Sequence, residues 1–184
     1  MSKARTTKTD ILSVKLFLLI LGGIAAYYVS SWIRGEPEWE ELVYEPGAFG
    51  VQIAGKPNLR KLREEFAFGQ MEFQYLMFER KEVQYAISFG DVPAGVAADS
   101  AIAANRDVML KKMQGKILAE EAVELAGHPA RQTRIRASDE SLLELRSGQV
   151  GQRLYSLMAA GAPHLIDDNP DIPLFFSSFK LLAE

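Results

Sequence analysis

Two adjoining runs constrain the fold most: FAFGQMEFQYLMFER (66–80) and KEVQYAISFG (81–90). In the first, Met71, Phe73, Tyr75 and Met77 recur at every second position. In the second, Val83, Tyr85, Ile87 and Phe89 do. Side chains alternate between the two sides of a strand, so a period of two marks a strand with one face against a core. Arg80-Lys81 falls between the runs, which predicts a hairpin. The Met and aromatic stripe has two readings. It is core packing, or it lines a ligand cavity with Phe73, Tyr75 and Tyr85 as walls.

The same periodicity organises what surrounds the hairpin. FGVQIAG alternates Phe49, Val51 and Ile53 and predicts a strand. GKPNLRKLREE follows, with Gly55 and Pro57 as breakers and mixed charges, and predicts a solvated loop. DSAIAANRDVMLKKMQG predicts an amphipathic helix capped by Asp99 or Ser100 and closed at Gly115, with Ile102, Met109 and Met113 inward. Residues 116–161 predict four strands, with turns at Gly127-His128-Pro129, Ser138–Glu140 and Gly151-Gln152. Across the second turn, placing Ile135 opposite Leu145 and Ala137 opposite Leu143 sorts apolar from charged side chains. RLYSLMA is apolar on both faces, Leu154 and Met158 on one and Tyr155 and Leu157 on the other, as a central, doubly covered strand would be. The expectation is an α+β domain over residues 42–184, a mainly antiparallel sheet covered by helices.

Leu16–Ile33 is a run of 18 residues without charge. As a helix it would extend about 27 Å, close to the hydrocarbon thickness of a bilayer. Extended to residues 11–33, it predicts one transmembrane helix. Tyr27, Tyr28 and Trp32 gather at one end as an interfacial belt would. Lys3, Arg5 and Lys8 precede the run, whereas Glu36, Glu38, Glu40, Glu41 and Glu45 follow it. That asymmetry predicts a cytoplasmic tail (1–10), a linker (34–41) and an extracytoplasmic domain on a single-pass inner (plasma) membrane protein. The rival reading is a cleaved signal peptide ending at VSS (29–31), which would place Trp32 directly after the cut.

Charge and composition exclude several functions. Residues 1–35 hold five basic residues against Asp10; from 21 basic and 24 acidic residues overall, the remainder keeps 16 against 23, a net of −7. An acidic domain is poorly suited to nucleic acid, where affinity comes from neutralising phosphates. There is no cysteine, so thiolate nucleophiles and zinc–sulfur sites are excluded. No G-x-S-x-G, phosphate-binding glycine pattern or H-E-x-x-H occurs. The two histidines, His128 and His164, lie in Pro-containing turns. No catalytic, metal-binding or cofactor-binding residue is therefore predicted, and the chain is not expected to be an enzyme.

Two polar groupings remain. Arg131, Arg134, Arg136, Arg146 and Arg153 fall within three neighbouring strands. Guanidinium suits bidentate anion recognition, so Arg134, Arg136, Arg146 and Arg153 form a candidate anion or partner patch. The alternative is a solvated face with Glu140 and Glu144 as partners. The second grouping is LIDDNPDIPLFFSSFKLLAE, where Asp167, Asp168 and Asp171 resemble a cation loop. They do not match the D-x-[DN]-x-[DN]-G template. A helix start explains them better, capped by Asn169 or Asp171, with Leu174, Phe175, Phe179 and Leu182 as its buried stripe.

Taken in order, FGVQIAGKP, QYAISFGDVP, DVMLKKMQGKILAEEAVELAGHPA, GQRLYSLMAAG and FFSSFKLL resemble the PsbP/Mog1-like α/β/α sandwich superfamily, and within it bacterial envelope proteins. The resemblance spans Phe49 to Leu182. Its matching positions are structural, so it implies a fold and no catalytic residue. It also implies a role in binding or assembling other proteins. The functional expectation is a membrane-anchored, non-catalytic binding or assembly module with a protein partner in or at the membrane. The alternative is a small-ligand or anion binder using the Met/aromatic cavity or the arginine face.

Overall fold

The computed structural model describes residues 37–182. The predicted tail and transmembrane helix, and the first three residues of the linker (34–36), lie outside the described residues. Among the described residues no helix is long and apolar enough to cross a membrane.

Among the described residues ten strands form two antiparallel sheets. The large sheet has seven strands: β3 (Asn58–Phe66), β4 (Gly69–Arg80), β5 (Val83–Asp91), β6 (Lys116–Leu125), β7 (His128–Arg136), β8 (Leu142–Val150) and β9 (Arg153–Gly161). Their spatial order is β3-β4-β5-β9-β8-β7-β6. The small sheet is β1 (Trp39–Tyr44), β2 (Phe49–Ala54) and β10 (Lys180–Leu181), in the order β1-β2-β10. Helix α1 (Ala98–Met113) joins the two halves of the large sheet. Two short helices, α2 (Pro163–Ile166) and α3 (Asp171–Ser177), precede β10. The fold is thus mainly antiparallel sheet with few helices.

Strand β9 stands at the centre of the large sheet, as its two apolar faces require. Leu154 and Met158 join the core under α1, whereas Tyr155 and Leu157 join the core on the other side. The second cover differs from expectation. It is largely the small sheet, with α2 and α3 beside it, rather than a layer of helix.

Four local readings are corrected. The hairpin turn is Lys81-Glu82, both at positive φ, with Arg80 paired to Val83. It was expected one residue earlier. A two-residue turn at either place pairs odd-numbered with even-numbered residues, so Val83, Tyr85, Ile87 and Phe89 lie on the opposite side from Met71, Phe73 and Tyr75, and the two stripes do not share a face. Leu76 and Phe78 supply the apolar residues of β4 on that side. Second, the stretch expected to be a loop is strand β3, paired along its length with β4. Charges at Arg60, Lys61 and Arg63 are typical of an exposed edge strand and hide its pattern. Third, β7 and β8 pair Ile135 with Leu143 and Arg134 with Glu144, two residues from the expected register. An even shift leaves every side chain on its expected face. Fourth, α1 starts one residue before Asp99, with Ala97 at its N-cap and no side-chain cap.

The C-terminal segment also differs. Helix α3 ends at Ser177, and the chain then adds β10 beside β2. The Ser178 hydroxyl donates to the Phe175 carbonyl at 2.7 Å and the Ser177 hydroxyl to Leu174 at 3.1 Å, the local bonding that competes with helix propagation. Ile172, Phe175, Phe176 and Phe179 are buried, while Leu174 is exposed. The first strand begins at Trp39, inside the stretch read as linker, and the Trp39 ring meets Phe78 and Tyr85 edge-on.

Candidate functional site: an arginine-bearing cleft beside the terminal helices

On β7 and β8, alternation sends Gln132, Arg134, Glu144 and Arg146 to the side of the sheet facing α2 and α3. Gln132 pairs with Arg146 and Arg134 with Glu144 across the ladder. The segment 166–176 folds over these four residues. The result is an open cleft of about 350 Å3, lined by Gln132, Glu144 and Arg146 on the strands, and by Ile166, Asp168 and Phe176 among others on the helical side.

The four candidate arginines do not form one patch. Arg134 is an internal strut, 3.3 Å from the Glu144 carboxylate and also paired with Asp167. Arg136 sits at the end of β7, with Glu140 at 3.8 Å. Arg153 is at the opposite end of the sheet, where it donates to Asp91 at 2.8 Å and to the Pro46 carbonyl at 3.2 Å. Only Arg134 and Arg146 flank the same buried carboxylate.

Arg146 is the one whose charge is least compensated. Its Nε and Nη2 both donate to the Gln132 side-chain carbonyl, at 3.1 and 2.6 Å. Its guanidinium lies over the Phe176 ring, 4.9 Å from the centroid. Among the described residues no carboxylate lies within ion-pair distance of it. Burial pushes its pKa down, against the pull of Glu121 and Glu144. Glu144 is 8% exposed. Burial pushes its carboxyl up, and the Arg134 guanidinium opposes this. The cleft therefore sets a cation with only neutral partners beside a carboxyl that already has one.

The Met and aromatic residues do not share a cavity. Phe73 and Tyr75 pack under α1, whereas Tyr85 packs on the other side against Phe78 and Phe175. This is the consequence of the hairpin turn described above. The acidic cluster is divided as well. Asp167 pairs with Arg134, and Asp171 with Arg80 at 3.2 Å and Lys81 at 3.3 Å. Burial raises the Asp171 pKa, but these two cations outweigh it and hold the carboxyl below its ordinary value. The Asn169 side chain accepts from the Asp171 N–H at 3.0 Å, a turn just before α3, but the N-cap position is Pro170 and no side chain caps the helix, so the expected cap by Asn169 or Asp171 is not formed. Among the described residues there is no group of three metal-ligating side chains. His128 begins β7, after a turn at Ala126-Gly127, and His164 lies in α2.

Sequence reasoning missed Gln132 and Phe176. Gln132 was legible as the residue two before Arg134, on the same face. Phe176 was not, because its place depends on how the segment after β9 folds back.

No family model matches the chain, and no curated protein matches it. Solved structures do. The solution structure of cyanobacterial PsbP (CyanoP) from Synechocystis sp. PCC 6803 is similar over 80% of this chain and 94% of that one, with a TM-score of 0.57 and 9% identity. A Pseudomonas aeruginosa protein of unknown function, described as a putative regulator, covers 74% of this chain and 92% of its own, with a TM-score of 0.42 and 14% identity. The chain has a PsbP-like fold.

Proposed function

We propose that this PsbP-like domain is a non-catalytic binding or assembly module, held at the membrane by Leu16–Ile33 and facing away from the cytoplasm, that engages a protein partner. Strand β6 carries the reading. It is the outer strand of the large sheet, ten residues long, and all of its residues except Val123 and Leu125 are exposed. Helix α1 packs over β8, β7 and β3, and reaches β6 through Arg106, which pairs with Glu120 at 3.0 Å. Ile117 and Leu118 are exposed, at 40% and 41%. Long edges with apolar side chains are normally covered or blunted, because their free N–H and C=O groups template another strand. Glu121 and Glu124 are exposed on the same strand. The occupant that fits is an extended, basic segment of a partner protein, added as an eighth strand. A membrane anchor would raise the concentration of such a module near membrane complexes.

Affinity purification from detergent-solubilised membranes, followed by mass spectrometry, tests the reading. A stoichiometric partner is expected with the native chain, and its loss when Leu118 is replaced by Lys. Recovery of the chain alone, reproducibly, contradicts the module. Protease added to intact spheroplasts should remove the C-terminal domain; an uncut domain contradicts the orientation.

A second reading is favoured by one observation. Arg146 has neutral partners only and lines an open cleft, which supports an anion-binding role for that face.

A further inference from the structure

We infer that the cleft beside Arg146 binds a monocarboxylate with an apolar body, such as a small organic acid or the C-terminal end of a protein chain. This rests on the anion-binding reading and adds the ligand class.

The donor inventory comes first. A guanidinium has five N–H groups. Arg146 directs Nε and Nη2 to the Gln132 carbonyl, and Nη1 has no acceptor among the described residues. Nη1 is also not among the buried polar atoms that lack a partner, so it is reachable from solvent. Its neighbours are already occupied. The Gln132 amide nitrogen reaches Glu144 at 3.5 Å, and the Asn169 amide donates to the Leu165 carbonyl at 2.7 Å. The acceptor missing from the cleft is therefore one for Arg146.

The rest of the lining selects among anions. Glu144 and Asp168 face the same space. A phosphate dianion would meet repulsion from both, whereas a carboxylate carries one charge and matches the planar guanidinium fork. Ile166, Pro170, Ile172, Pro173 and Phe176 supply apolar walls. They give an aliphatic or aromatic body a place to lose water, which acetate or formate could not exploit. A volume of about 350 Å3 sits at the small end of ligand clefts and holds a group about the size of one residue.

The test is a titration of the isotope-labelled full-length chain in detergent micelles, followed by amide NMR shifts. The probes are N-acetyl-leucine, N-acetyl-leucinamide, inorganic phosphate and a pentapeptide with a free C-terminal leucine. N-acetyl-leucine should shift the amides of Gln132, Arg146 and Phe176 saturably, and the amide-capped compound should not. Arg146→Gln should weaken binding by roughly tenfold or more, the expected loss of a charge-assisted hydrogen bond. Arg136→Gln, at the far end of β7, should leave it within about twofold on the same scale. The wild-type shift map decides the matter even if Arg146→Gln does not fold. Equal affinity for N-acetyl-leucine and the pentapeptide identifies a small acid, and clearly tighter peptide binding identifies a chain end. Phosphate binding tighter than N-acetyl-leucine overturns the carboxylate inference but leaves the anion reading standing. Shifts that map elsewhere, or no binding by any anion, overturn both.

Discussion

The two faces of the seven-stranded sheet are buried by different chemistry. The face toward the small sheet is packed with rings. Phe78 stacks on Tyr85 with centroids 5.1 Å apart, Phe175 meets Tyr85 edge-on at 5.2 Å, and Phe49 and Tyr155 both contact Phe179. The face under α1 carries a polar row through its centre. Asn105 on α1 is buried and donates to Ser147 at 3.0 Å and to Ser156 at 2.9 Å. Ser88 continues the row on β5, opposite Ser156. Aromatic burial supplies large apolar area with tolerant geometry. A buried hydrogen-bond network contributes less net stability, but it accepts few positions of the helix, because a misplaced helix leaves polar groups unpaired. The ring side should therefore dominate stability, and the helix side should fix where α1 sits.

The comparison can be broken by substitution. Phe175→Ala should cost the most, about 3–5 kcal/mol, since the side chain is fully buried and the hole cannot collapse between two sheets. Chemical denaturation measures it, and a cost below about 1 kcal/mol would undo the ranking. Asn105→Ala should cost about 1–3 kcal/mol by stranding the serine hydroxyls. It should also loosen α1 selectively, seen as faster amide exchange along residues 98–113 than in β9. Ser88→Ala should change stability by less than about 0.5 kcal/mol or raise it, because the hydroxyl is buried without a partner.

Alkaline titration tests the ring side independently. Burial, then the Asp171 carboxylate, pushes the Tyr85 phenol from 10.0 up to about 12. A group whose folded pKa is raised contributes stability that is complete below its unfolded value. Stability should therefore fall between about pH 10 and pH 12, and Tyr85→Phe should remove part of that loss. Some should persist, because Tyr75 on the helix side is also shifted upward, by burial first and then by Glu64. An unchanged profile in Tyr85→Phe would show that the ring side does not hold Tyr85 as described.

Much of this division was legible in the sequence, and its exceptions share a cause. Strict alternation in β9 gave both faces correctly, because Leu154, Tyr155, Leu157 and Met158 leave no other parity. The cavity of Phe73, Tyr75 and Tyr85 failed on parity: a two-residue turn, at Arg80-Lys81 as at Lys81-Glu82, pairs odd-numbered with even-numbered positions, so the two odd-numbered stripes face apart. Strand β3 was hidden by charges that serve an edge. Of the candidate site, Arg134, Arg146 and Glu144 could be placed on one face from periodicity. Their division into a strut and an uncompensated cation could not, since Asp167 and Phe176 arrive from a segment with no periodic signal.

The central claim is that strand β6 receives a partner. The chain has no cysteine, so single cysteines can be placed without background. Leu118 on β6 and Leu174 on α3 are equally exposed, at 41% each. Cysteine-directed photocrosslinking of Leu118→Cys and Leu174→Cys in intact membranes therefore compares an open edge with an ordinary surface. The account predicts one discrete adduct from position 118 and none from position 174. Equal adducts from both positions, or no adduct from position 118, would contradict it.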